Sequence, residues 1–175
     1  MRIYIIGMPG SGKTYFGRKL SSALKMSFTD LDDKITEVAG MSIKEIIDLK
    51  GENAFRLLEK ECLKATEALN HSVISCGGGT PAFFDNMDWI KKHGISIWLN
   101  TPLSGIFERI RRNQSRRPAF AGLSGDDMLI KINSISAQRK VFYEKADIMI
   151  NESQQTGKAL TKALLLLRKK IKYKK

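Results

Sequence analysis

Cysteine is scarce in this chain of 175 residues: only Cys62 and Cys76 occur. Two thiols make no disulfide framework, so reduced cysteines in a cytoplasm are expected. Apolar runs are short, and none approaches the ~20 residues that a membrane-spanning helix needs. Met1 leads directly into a strand-like run, so no signal peptide is expected. Internal repeats and interdomain linkers are absent as well. A continuous basic and aromatic stripe is also missing, although the net charge is +12. The segment "RKKIKYKK" (168–175) holds half of that excess, which reads as a solvated basic end rather than a nucleic-acid surface. With 42% apolar and 27% charged residues, the composition is that of one ordinary globular domain with a real core.

Short apolar runs alternate with amphipathic stretches. "RIYIIG" (2–7), "SFTDLD" (27–32), "SVISCGGG" (72–79), "ISIWLN" (95–100) and "ADIMIN" (146–151) read as strands, the third running into a glycine turn. Helical patterns cover 13–25, 33–70 with breaks near 39–42 and 50–53, 102–112, 126–144 and 156–172. In the helix over 126–144, Met128, Ile132, Ile135 and Phe142 fall near one face. Strands alternating with helices predict an α/β fold: a parallel sheet covered on both faces, with ligands beyond the carboxyl ends of the strands. The stretch 113–125 is the one polar loop long enough to act as a lid.

"GMPGSGKT" (7–14) fits G-x-x-x-x-G-K-[ST] between a strand and a helix. Missing side chains let the N–H groups around Gly10, Ser11 and Gly12 curl about a phosphate, and the helix N-terminus adds partial positive charge. Lys13 reaches the β- and γ-phosphates, and the Thr14 hydroxyl ligates a Mg²⁺ ion that bridges them. The alternative, a tight turn with a surface lysine and threonine, does not need this many glycines. No guanine-reading N-K-x-D occurs, which argues against a GTPase. A motor or AAA-type ATPase needs more chain. A small-molecule or nucleotide kinase remains.

The acceptor side is carried by other strand ends. Asp30 and Asp32 flank Leu31, and on a strand they point to one side. One carboxylate can hold water on the metal, and the other can accept a proton from an acceptor hydroxyl. Helix capping by Asp32 or Asp33 is the other reading. Arg56 and Glu59 are spaced to pair on a helix, either as a surface pair or with Glu59 aiming a guanidinium fork at a carboxylate. Three successive glycines, Gly77, Gly78 and Gly79, exceed what a plain turn needs and suggest close backbone approach to a ligand. Arg139 on the helix after the loop reads as solvated or as a further anion contact.

"GMPGSGKT", "DLD", "GENAFRLLE" (51–59), "CGGGT" (76–80), "RRP" (116–118) and "RKVFY" (139–143) occur in the order and spacing of the shikimate kinases, which the sequence resembles over about 1–150. The resemblance implies a nucleoside-monophosphate-kinase-like, three-layer αβα fold with strand order 2-3-1-4-5. It implies a single kinase domain over 1–175: core 1–32, 71–112 and 145–175, a shikimate-binding region at about 33–70, and a lid at about 113–125. The implied reaction is transfer of the ATP γ-phosphoryl to the shikimate 3-hydroxyl, a phosphotransfer to an alcohol on the route to chorismate and aromatic amino acids. Asp30 and Thr14 then serve one Mg²⁺, and Asp32 binds shikimate and acts as general base. Arg56, Arg139 and the glycines 77–79 bind the acceptor, and Arg117 closes on the nucleotide with Lys13. Arg116 beside it is the alternative. ATP and shikimate are the implied partners of a cytoplasmic monomer. Several positions depart from the family pattern, among them the lid "RPAF", where two leucines commonly follow the proline, and Cys76, where small residues are usual. Tyr15 stands where a second hydroxyl is usual, leaving its backbone N–H for the α-phosphate. "NESQQT" (151–156) lacks the usual adenine-contacting residues, so Arg109 is a candidate for stacking there.

Overall fold

In a computed structural model, which describes residues 1–114, 118–151 and 157–173, "RIYII" forms the central strand β1 (Arg2–Ile6). It pairs in parallel with β3 (Ser72–Ser75) on one side and β4 (Ile95–Leu99) on the other. β2 (Ser27–Asp30) and β5 (Ile148–Ile150) form the edges, giving the expected order β2-β3-β1-β4-β5.

Because side chains alternate along a strand, β1 feeds two cores. Ile3 and Ile5 join a cluster with Phe16 and Leu20 of α1 (Lys13–Leu24) and with Ala159, Ala163 and Leu167 of α7 (Gly157–Tyr173). Tyr4 and Ile6 point the other way. There they meet residues of α2 (Leu31–Ala39), α3 (Ile43–Ala65), α4 (Asn86–His93), α5 (Leu103–Arg112) and α6 (Gly125–Tyr143). These four of the five β1 side chains are fully buried, the isoleucines each contributing about 1.5–3 kcal/mol of apolar burial. The result is the three-layer α/β fold that the alternation pattern implies.

Several boundaries differ from the sequence reading. The second strand stops at Asp30, and Asp32 lies in the first turn of α2. The cause is local: the Asp30 side chain accepts the Asp32 backbone N–H at 3.1 Å and so caps a helix. The break expected near 50–53 is at Gly51, whose φ of 83° interrupts α3. α4 has no counterpart among the helical patterns read from the sequence. On α6 it is Tyr143, not its neighbour Phe142, that is fully buried. The basic end is solvated at Arg168 and Lys169, but it is ordered helix to Tyr173: Lys170 pairs with Asp147 at 2.9 Å and Ile171 packs on the core.

Candidate active site

The carboxyl ends of β1, β2 and β3 open onto one pocket of about 720 Å³. The phosphate loop forms its floor. Gly12, in the left-handed region at φ 92°, is the N-cap of α1, and no side chain caps this helix and no acid sits in its first turn. The start of α1 is therefore uncapped by any side chain, which is the arrangement an anion needs. Lys13 is buried and donates from Nζ to the carbonyls of Gly7 and Met8, each at 2.9 Å. Arg109 donates to the carbonyls of Gly10 and Ser11 at 3.3 and 3.1 Å, bracing the loop from behind. Tyr15 is largely exposed at the pocket rim.

Thr14 Oγ1 donates to Asp30 Oδ2 at 2.7 Å, so the loop hydroxyl and the β2 carboxylate meet at the pocket. These are hard oxygen donors of the kind Mg²⁺ takes. Among the described residues, no cluster of three or more His, Cys, Asp or Glu could hold an ion unaided. The donor set therefore suits an ion that draws its remaining ligands from phosphate and water.

Asp32 faces Asp30, Glu59 and Lys13. Burial, then the negative charge of Asp30, pushes its carboxyl up to about 6, against the pull of Lys13. A carboxyl poised there can change protonation near neutral pH. Having only its first helical turn as support, Asp32 still points into the same pocket as Asp30, Arg56 and the glycine turn.

Arg56 is the most constrained side chain of the pocket. Its Nη1 donates to Glu59 Oε2 at 2.8 Å, while Nε and Nη2 donate to Glu52 Oε1 at 3.3 and 3.1 Å. The rings of Phe55 and Phe83 lie 4.6 and 4.0 Å from the guanidinium carbon. Glu59 is fully buried, and its other oxygen accepts from Thr80 Oγ1 at 2.6 Å. So the expected Arg56–Glu59 pair exists, but as a buried anchor rather than a surface pair. Thr80 falls inside the "CGGGT" stretch, but the sequence assigns no role to it or to Phe83. Glu52, four residues before Arg56, is legible from helix spacing.

The glycine turn is crowded by protein on every side. A Cβ on Gly77 would lie 2.8 Å from Glu59 Oε1 and 2.9 Å from Asp32 Oδ1. One on Gly78 would lie 2.6 Å from the Pro9 ring, and one on Gly79 would lie 2.7 Å from Arg56 Nη1. The absent side chains are thus accounted for by the phosphate loop, Arg56 and two carboxylates. Arg139, half-buried on α6, lines the same pocket. Phe120 of the loop over 113–125 is buried, and the Gln114 amide donates to the carbonyls of Phe120 and Leu123 at 2.7 and 2.9 Å. Arg116 and Arg117, and most of the 151–156 loop, lie outside the described residues.

Known proteins are similar to this chain in sequence and fold. The family model described as shikimate kinase matches residues 9–168. A shikimate kinase of Sulfurihydrogenibium is 36% identical over 93% of this chain and 95% of its own. That of Phocaeicola vulgatus is 32% identical over 97% and 98%. The crystal structure of shikimate kinase from Bacteroides thetaiotaomicron superposes with a TM-score of 0.92 at 31% identity, covering 96% of this chain and 98% of that one. The Acinetobacter baumannii enzyme in complex with shikimate gives 0.85 at 29% identity, covering 99% and 94%. A family match that runs from within the phosphate loop through the glycine turn and strands β2 to β5, with relatives 32–36% identical over nearly the whole chain, settles the assignment: the chain belongs to the shikimate kinase family.

Proposed function

We propose that the chain transfers the γ-phosphoryl of ATP to the 3-hydroxyl of shikimate, giving 3-phosphoshikimate and ADP. The observation that carries this is one pocket holding both halves of the chemistry: Lys13 and the helix N-terminus for phosphate, Asp32 with Arg56 and Arg139 for a hydroxy acid. The N–H groups from Gly10 to Tyr15 cradle the phosphates, and Lys13 exchanges its carbonyl partners for phosphate oxygens. Thr14 and Asp30 would hold one Mg²⁺, which when bound neutralises phosphate charge. Arg56 and Arg139 take the acceptor carboxylate and the turn at 77–79 flanks the ring, so the hydroxyl is brought to Asp32. Asp32 takes its proton. Arg117, by its place in the loop, supplies further positive charge as that loop covers the nucleotide. The enzyme so read works as a monomer in the cytoplasm, with ATP and shikimate as its partners.

The test is turnover in a coupled ADP-release assay with shikimate, gluconate, other hydroxy acids and nucleoside monophosphates. Shikimate should be the preferred acceptor by orders of magnitude. Robust turnover of another acceptor without turnover of shikimate would overturn the reading.

A further inference from the structure

The two arginines proposed to hold one carboxylate stand on different elements, Arg56 on α3 and Arg139 on α6. Something must keep them in register. Tyr143 lies four residues after Arg139, on the same face of α6. Its side chain is 1% exposed, with its ring 5.9 Å from that of Trp98 on β4. Its hydroxyl donates to the Gly78 carbonyl at 2.5 Å. The Met8 sulfur lies 3.9 Å away on another side. The guanidinium of Arg139 also bears on that hydroxyl, drawing its pKa down against burial, which pushes it up to about 12. The phenol therefore stays protonated as a donor at any working pH. On its far side the turn continues to Gly79, whose missing Cβ leaves room for the Arg56 fork. A chain of contacts thus runs from Arg139 through Tyr143, Gly78 and Gly79 to Arg56.

We propose that Tyr143 is a positioning residue for acceptor binding: its hydroxyl pins the glycine turn to α6 and so sets the spacing between Arg56 and Arg139. This rests on the reading that both arginines bind the acceptor carboxylate. Tyr143 is buried behind the pocket and does not line it. Its effect passes through the turn and the two guanidinium groups. Removing only the hydroxyl frees the Gly78 carbonyl while the ring keeps its packing against Trp98.

The Tyr143→Phe variant tests this. Its KM for shikimate should rise roughly five- to tenfold, the effect of one lost buried hydrogen bond, with kcat and the KM for ATP within twofold of the parent. In an Arg139→Gln background, Tyr143→Phe should add little, because the register it holds no longer matters. An unchanged shikimate KM in Tyr143→Phe, or full additivity with Arg139→Gln, would overturn the proposal. So would a parallel loss of kcat and both KM values together with a lowered melting temperature, since that marks general structural support. Arg139→Gln alone separates the two levels. A shikimate KM that rises there but not in Tyr143→Phe removes the positioning role only; one that moves in neither removes the carboxylate clamp as well.

Discussion

Replacing Asp32 by asparagine should make the ligand-free protein more stable and at the same time inactive. Asp32 carries an ordinary carboxyl pKa of 3.8 when the chain is unfolded and about 6 in the fold, raised first by burial and then by Asp30. Between those values the folded state binds a proton that the unfolded state does not, so stability falls as pH rises from about 4 to 6. The difference of about two in pKa, at 1.36 kcal/mol each, amounts to about 3 kcal/mol at pH 7 and above. The amide of the Asp32→Asn variant would carry no charge to bury. In a domain of this length that is a rise in melting temperature of about 5–10 °C at pH 7.5, shrinking towards zero near pH 4. The assay is thermal unfolding of both proteins across pH 4–8, paired with ATP binding and turnover. Transfer should fall by about 10²–10⁴-fold while ATP affinity stays. In the parent enzyme, kcat/KM for shikimate should climb with unit slope up to about pH 6 and then level, because the base must be ionised. A variant that melts lower at pH 7.5, or one that still turns over, would refute the reasoning. Loss of ATP binding instead would make Asp32 a metal-side residue and exchange its role with that of Asp30.

Gly79→Ala places a methyl 2.7 Å from Arg56 Nη1 and should raise the shikimate KM at least tenfold with the ATP KM unchanged, read by steady-state kinetics. Asp147 accepts from the Ser96 backbone and hydroxyl, each at 3.0 Å, and pairs with Lys170. Burial alone would raise its pKa, but these partners together hold it below the usual carboxylate range. A depressed folded pKa gives stability that is present above pH 4 and lost as pH falls further. Asp147→Ala should therefore cost about 1–3 kcal/mol at pH 7, with the gap in melting temperature closing in acid.

The phosphate site is legible because its chemistry is local in sequence. Gly7 to Thr14 are eight consecutive residues, and loop, lysine and hydroxyl must all lie on them. Strand positions are legible for a similar reason: they are short apolar runs set between amphipathic stretches. The acceptor side is only partly so. Asp30 and Asp32 do meet at one crevice, but the strand rule gives the wrong geometry, because a carboxylate that caps its own neighbour's N–H begins a helix. The roles of Thr80 and Phe83 go unread, since they come from Glu59 and Arg56, which approach only in three dimensions. The apolar pattern places Met128, Ile132 and Ile135 on the core side of α6 and misses only at the end of the helix. Phe142 is the more apolar, yet the Tyr143 hydroxyl finds a carbonyl and can be buried at less cost. α4 goes unread: its eight residues carry a short apolar stripe, Met87 and Ile90, flanked by charge.

The contact between Gly78 and Pro9 bears on how this scaffold could be re-engineered. With so little room between Gly78 and Pro9, a side chain added at Gly78 would press on the phosphate loop and on the turn together. The opposite wall is different. Ile43 and Ile47 line it from the first half of α3, which is set off from its neighbours by Gly40 and Gly51, both at positive φ and both with open space around them. A designer seeking room for a bulkier acceptor should leave the glycine turn untouched and recast Ile43 and Ile47, keeping the buried Ile46 between them.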